Sequence, residues 1–82
     1  MNYDSIIKGL GEAVKISNGE IKGLRSSLHL TQLAFAQLIG VSAKTVEAWE
    51  KGTNSPNGPA RRLIGMIIED PQLTERYHLI AR

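Results

Sequence analysis

The chain has no cysteine, one tryptophan, one phenylalanine and three prolines in 82 residues. Each scarcity removes a class of explanation. Without cysteine there is no disulfide framework and no thiolate zinc site, and a reducing compartment is the natural setting. Long apolar runs are missing as well. Stretches such as Met66 to Ile68 fall far short of the ~20 residues that span a bilayer. No basic-then-apolar leader opens the sequence, so secretion is not expected and the chain reads as cytoplasmic. The two histidines, His29 and His78, lie far apart in sequence. They lack metal-ligand spacing, and neither has an identifiable serine or carboxylate partner for catalysis. Gly9 and Gly11 have no flanking strand of the kind a glycine-rich phosphate loop needs. The expectation is no enzyme, no metal and no cofactor.

What is present suits one small domain over residues 1–82. Apolar residues make up 41%, enough for a single modest core. The net charge of +2 is unevenly placed. Residues 21 to 66 hold six basic side chains (Lys22, Arg25, Lys44, Lys51, Arg61, Arg62) against Glu47 and Glu50, which is +4, and the remainder sums to −2. A basic middle between acidic ends suits a polyanionic partner, although an ordinary mixed surface gives the same sum.

Helical periodicity organises the chain, and no period-two strand is convincing. Over residues 3 to 15, Ile6, Ile7, Leu10 and Val14 fall at helical spacing, weakened by Gly9 and Gly11. The run Ser17 to Glu20, SNGE, has the form of a capping box opening a helix with Ile21, Leu24 and Leu28 on one face. Thr31 and Ser42 are placed to cap the next two helices, and Gly52 to stop the second of them in the left-handed region. Pro59 suits the first turn of a helix carrying Leu63, Ile64 and Ile67. Asp70 and Pro71 then start a C-terminal helix over about 71–81, with Leu73, Tyr77 and Ile80 on one side. The chain is expected to be all-α.

Residues 31–52 carry the functional signal. Two short helical patterns meet at Gly40, Val41 and Ser42. Gly40 permits the positive φ of a sharp corner, and Val41 can plug it from inside. With about 100° per residue, Val46 and Trp49 share one narrow sector, whereas Lys44, Ala48 and Lys51 fall roughly 140–200° from Val46. One face is anchored and the other offered. In a helix-turn-helix the second helix enters the DNA major groove while the first lies across the backbone.

The residues Thr31-Gln32, Phe35-Ala36, Ile39-Gly40-Val41-Ser42, Val46, Trp49-Glu50 and Gly52 resemble the phage-repressor, or XRE-type, helix-turn-helix family. The resemblance extends upstream to Leu24-Arg25 and downstream through Pro56. It implies a compact five-helix domain with a lambda-repressor-like helix-turn-helix. One departure is His29, where the family usually has glycine; histidine tolerates left-handed φ better than most residues. A weaker resemblance covers nearly the whole chain. The initial helix, the WEKG-x-x-x-P-x-GPA stretch and the closing IIEDPQL are similar to antitoxins of the HigA type. It implies a repressor of its own promoter that also binds an RNase toxin. A free-standing or phage-derived regulator remains an alternative, as does an adaptor that binds proteins and not DNA.

The resemblance also assigns residues. Gln32 is expected to contact a phosphate, and Ala43, Lys44 and Ala48 to face the bases, with Ser42 and Thr45 also in the DNA-binding set. If the two alanines are surface filler, specificity shifts to Lys44, Thr45 and DNA shape. Lys44 can donate to guanine O6 and N7, and an alanine can touch a thymine methyl. Lys51, Thr53, Asn54 and Ser55 fall where the family contacts the backbone. Glu47 can accept from cytosine N4 or be an exposed helical glutamate, the second being the plainer reading. Arg61 and Arg62 extend the phosphate footprint or serve a partner. Arg25 and Glu50 are expected to form a structural ion pair, with Trp49 in the core. The partner is an inverted-repeat operator in double-stranded DNA, bound by a homodimer associated with the nucleoid. Its dimer surface is drawn from Leu73, Tyr77 and Ile80 or from the N-terminal helix.

Overall fold

The computed structural model describes residues 16–80; the helix expected over residues 3 to 15, with its candidate partner surface, lies outside them. The described chain is all-helical, with α1 Asn18–Ser27, α2 Gln32–Ile39, α3 Ala43–Lys51, α4 Gly58–Glu69 and α5 Leu73–Arg76. None of these helices is long and apolar enough to cross a membrane.

Local chemistry sets each boundary. Ser17 Oγ accepts from the Glu20 amide at 3.1 Å while Glu20 Oε1 accepts from the Ser17 amide at 3.3 Å, which completes the capping box. Ile16 and Ile21 occupy the positions that staple such a start, and both are buried. Between α1 and α2 the backbone turns through His29 at φ 58°. Thr31 caps α2 through the Ala34 amide at 3.0 Å, and Gly40 ends it at φ 89°. Ser42 caps α3 through the Thr45 amide at 3.2 Å, and Gly52 ends it at φ 83°. Pro59 stands in the first turn of α4, where its missing N–H has no helical partner to lose.

The core gathers one stripe from each long helix. Ile21, Leu24 and Leu28, then Phe35, Ala36 and Ile39, then Val46 and Trp49, then Ile64 and Ile67 are all buried. Helix α3 packs chiefly on α2 and also on α1, while α4 closes the far side of α2. Phe35, Ile21, Val46, Ile64 and Ile67 are fully enclosed, and each such side chain stabilises the fold by about 1.5–3 kcal/mol relative to exposure. Nine residues are too few to hold a helix in water alone, so α3 owes its existence to this packing.

The C-terminal segment departs from its expected form. The helix predicted over about 71–81 is a single turn, α5. Asp70 ends α4 and does not cap the next helix; its carboxylate accepts instead from Arg76 at 3.1 Å. His78 then takes a left-handed φ of 53°, which ends helical continuity. Leu73 and Ile80 consequently fold back against the core, whereas Tyr77 is left 63% exposed. The three do not form one stripe.

Candidate nucleic-acid interface

The corner between α2 and α3 is fixed by backbone hydrogen bonds. The amides of Gly40 and Val41 both donate to the Ala36 carbonyl, at 2.8 and 2.9 Å. Val41 tucks partly into the core. On the far side of the corner Ser42 Oγ lies 2.8 Å from Thr45 Oγ1, in addition to accepting from the Thr45 amide. Neither α2 nor α3 has an acidic residue in its first turn, so neither helix supplies a carboxylate of its own to offset the partial positive charge at its N-terminus. α1, by contrast, carries Glu20 there.

Buried contacts set the rotation of α3. Val46 is 0% and Trp49 3% exposed, so the opposite side must face outward. Lys44 and Lys51 are exposed there, and Ala48 and Ala43 are half-buried. The two small side chains leave the backbone of α3 close to whatever approaches it. Thr53, Asn54 and Ser55 follow in an exposed loop that is tied to the end of α3. The Ala48 carbonyl accepts from the Thr53 amide at 3.1 Å and from Thr53 Oγ1 at 3.3 Å.

Beneath the presented face lies an ionic clamp. Arg25 Nε donates to Glu50 Oε2 at 2.7 Å and Nη2 to Oε1 at 3.0 Å, a two-point contact between α1 and α3. Arg25 Nη1 donates to the Leu30 carbonyl at 2.9 Å, which also fastens the α1–α2 turn. Glu50 is only 7% exposed at its side chain, Arg25 18%. The hydrogen bond from Arg25 holds the Glu50 carboxyl below the usual carboxylate range, against burial, which pushes the other way. The Arg25 guanidinium is correspondingly raised by the same hydrogen bond.

The candidate residues divide into two groups. Ser42, Ala43, Lys44, Thr45, Ala48 and Lys51 belong to α3 and its cap, with Thr53, Asn54 and Ser55 continuing from its end. Gln32 stands at the start of α2, and its amide Nε2 donates to Glu50 Oε1 at 3.3 Å. It is therefore a third member of the clamp. Arg61 and Arg62 sit in the first half of α4, partly buried and exposed respectively.

Two contributors went unread in the sequence. Asn18 Nδ2 donates to the Glu50 carbonyl at 3.4 Å, so the start of α1 satisfies one of the orphan carbonyls at the end of α3. A contact across 32 residues has no local signature. The second, an ion pair between Lys51 Nζ and Glu47 Oε1 at 2.8 Å, does have one, the i,i+4 order of glutamate before lysine. Lys51 holds the Glu47 carboxyl below its usual range, first by that hydrogen bond and then by its charge.

A shallow open groove of about 370 Å³ runs beside Asn18, Trp49 and Asn54, and its lining includes no charged side chain. Among the described residues no group of three His, Asp or Glu is placed to hold a metal ion. The geometry instead offers a helix face fixed by buried contacts on its other side, with Lys44 and Lys51 exposed.

Comparison with known proteins agrees with that geometry. Residues 21–59 match the family described as Helix-turn-helix, and this span covers the clamp, the corner and all of α3. Among curated proteins, antitoxin HigA-2 of Vibrio cholerae serotype O1 is 33% identical over 66 residues, or 80% of this chain. The aligned region spans 62% of that protein's own length. Over residues 21–59 the chain is thus similar to helix-turn-helix proteins.

Proposed function

We propose that this protein is a sequence-specific DNA-binding repressor, the antitoxin of a toxin–antitoxin operon, which represses its own promoter and neutralises an RNase toxin. The observation that carries the DNA-binding part is the rotation of α3. Val46 and Trp49 are locked inward, so Lys44, Ala48 and Lys51 stand outward on a helix that cannot turn away. The antitoxin part rests on the likeness to a protein named as an antitoxin.

In this reading α3 enters the major groove. Lys44 donates to a guanine edge, and Ala43 and Ala48 allow close approach to thymine methyls. Ser42 and Thr45 lie at the groove edge. The N-terminus of α2, with Gln32, meets a phosphate, as does the stretch Lys51, Thr53, Asn54, Ser55. The protein acts in the cytoplasm, on the nucleoid, as a homodimer on an inverted repeat.

A gel shift with the DNA upstream of the protein's own gene tests the first part. Retention of that fragment over an equal length of unrelated DNA is the expected result. Lys44→Ala should relax preference at one base pair by about 1–3 kcal/mol. Equal losses on specific and unrelated DNA would remove Lys44 from base reading. Co-expression with the product of the neighbouring gene tests the second part. Growth arrest by that product alone, relieved by this protein, is expected of an antitoxin, whereas a free-standing regulator gives no rescue.

A further inference from the structure

Between residues 21 and 66 the only carboxylates are Glu47 and Glu50. Glu50 is turned inward against Arg25 with 7% of its side chain exposed. Glu47 is thus the one negative side chain that this basic stretch presents outward. Its place on α3 is between the two lysines in sequence and to one side of both in angle. With Val46 at zero, Glu47 lies at roughly 100°, Lys51 at 140° and Lys44 at 160°. The carboxylate takes up Lys51 at 2.8 Å, with both side chains well exposed, 46% for Glu47 and 65% for Lys51. The pair is therefore open to any competing anion.

A DNA phosphate is such an anion. For Lys51 to meet it, the bond to Glu47 must be exchanged, and Glu47 is then left facing the duplex without its counter-charge. That cost falls on every sequence, because phosphates are everywhere alike. It is offset only where a base edge offers a donor to the carboxylate. Cytosine N4 does so in the major groove; adenine N6 does so only beside its N7 acceptor, which repels a carboxylate, and a guanine edge offers acceptors alone. We propose that Glu47 is a specificity-determining residue of α3: its pairing with Lys51 and its repulsion by phosphate disfavour arbitrary DNA, and a cytosine amine opposite it lifts the penalty. The inference rests on the reading of α3 as the DNA-reading helix.

Two duplexes and four variants test it by fluorescence polarisation over a range of salt. One duplex has mixed sequence; the other is enriched from a randomised pool by the unaltered protein. Glu47→Gln should tighten binding to the mixed duplex about two- to fivefold, the scale of an exposed ion pair. It should steepen the salt dependence by about 0.9 in log–log slope, one more phosphate neutralised. The enriched duplex should gain less, so discrimination falls. Glu47→Ala should act in the same direction, which separates the lost charge from any new contact by the glutamine amide. In a Lys51→Gln background the gain from adding Glu47→Gln should shrink. Unchanged or weaker binding of the mixed duplex overturns the inference, as does an equal gain on both duplexes. Either of these leaves DNA binding itself standing. If the unaltered protein binds neither duplex at low salt, the DNA reading falls together with the inference.

Discussion

Arg25 directs all three of its guanidinium nitrogens inward, two to Glu50 and one to the Leu30 carbonyl. Loss of either partner strands a charge in a poorly solvated place. We expect Arg25→Ala to cost about 3 kcal/mol, the low end for a broken buried pair, because the guanidinium keeps some contact with water. Urea titration at pH 7 measures this, and a loss under half a kilocalorie would mean that the clamp bears no weight. Its pH dependence has a definite sign. The Glu50 carboxyl is depressed below 4.5 in the folded state, so the clamp's stabilisation is complete above that value. It is lost as pH falls through the lower native value. The stability gap between the unaltered protein and Arg25→Ala should therefore be widest at neutral pH and narrow in acid below about 4.5. The pair was legible in the sequence through the family resemblance. The role of Gln32 in it was not, because a side chain at a helix start can turn either toward solvent or toward a carboxylate 18 residues away. Only packing decides which.

The four long helices were legible because their ends are written in neighbouring residues. Ser17 with Glu20, Thr31, Ser42 and the glycines at 40 and 52 act within three or four positions of the backbone they cap. Residues that bond across the chain, such as Asn18 to Glu50, leave no such trace. The C-terminal helix failed for a related reason. Leu73, Tyr77 and Ile80 satisfy helical spacing, but periodicity records only where apolar residues fall. It does not register that Asp70 is drawn to Arg76 or that His78 turns left-handed. Among the caps, Gly40 gives the cleanest test. A Cβ there would meet nothing within 4 Å, so Gly40→Ala isolates the cost of a left-handed backbone in an L-residue, about 1–2 kcal/mol. Chemical denaturation should show that loss without a change in m-value. A neutral result would mean that the corner relaxes to another shape, and DNA affinity would then fall more than stability.

The described residues measure 33 × 30 × 18 Å. Their longest dimension is close to the ~34 Å turn of B-DNA, the spacing at which paired helix-turn-helix units reach successive major grooves. One nine-residue helix reads too few base pairs for a genome, which is the argument for the proposed pairing of two copies on one face of the duplex. The apolar side chains left outward near the C-terminus are Tyr77 and Leu79, 63% and 39% exposed, since Leu73 and Ile80 have turned to the core. Tyr77→Asp should accordingly spare folding and binding to one half-site, yet weaken cooperative binding to the full repeat. Sedimentation with and without that DNA distinguishes the cases. A one-to-one complex on a complete repeat would refute the dimer.

Trp49 sits on the inner side of the very helix whose outer side is proposed to meet DNA, 3% exposed and with no other tryptophan in the chain. The protein thus carries a native optical probe aimed at the seat of α3. Its emission reports whether that helix is docked, and a ligand on the opposite face leaves the indole in the same surroundings. Loosening of α3 and occupation of its surface can therefore be followed as separate events, in one cuvette, without a label.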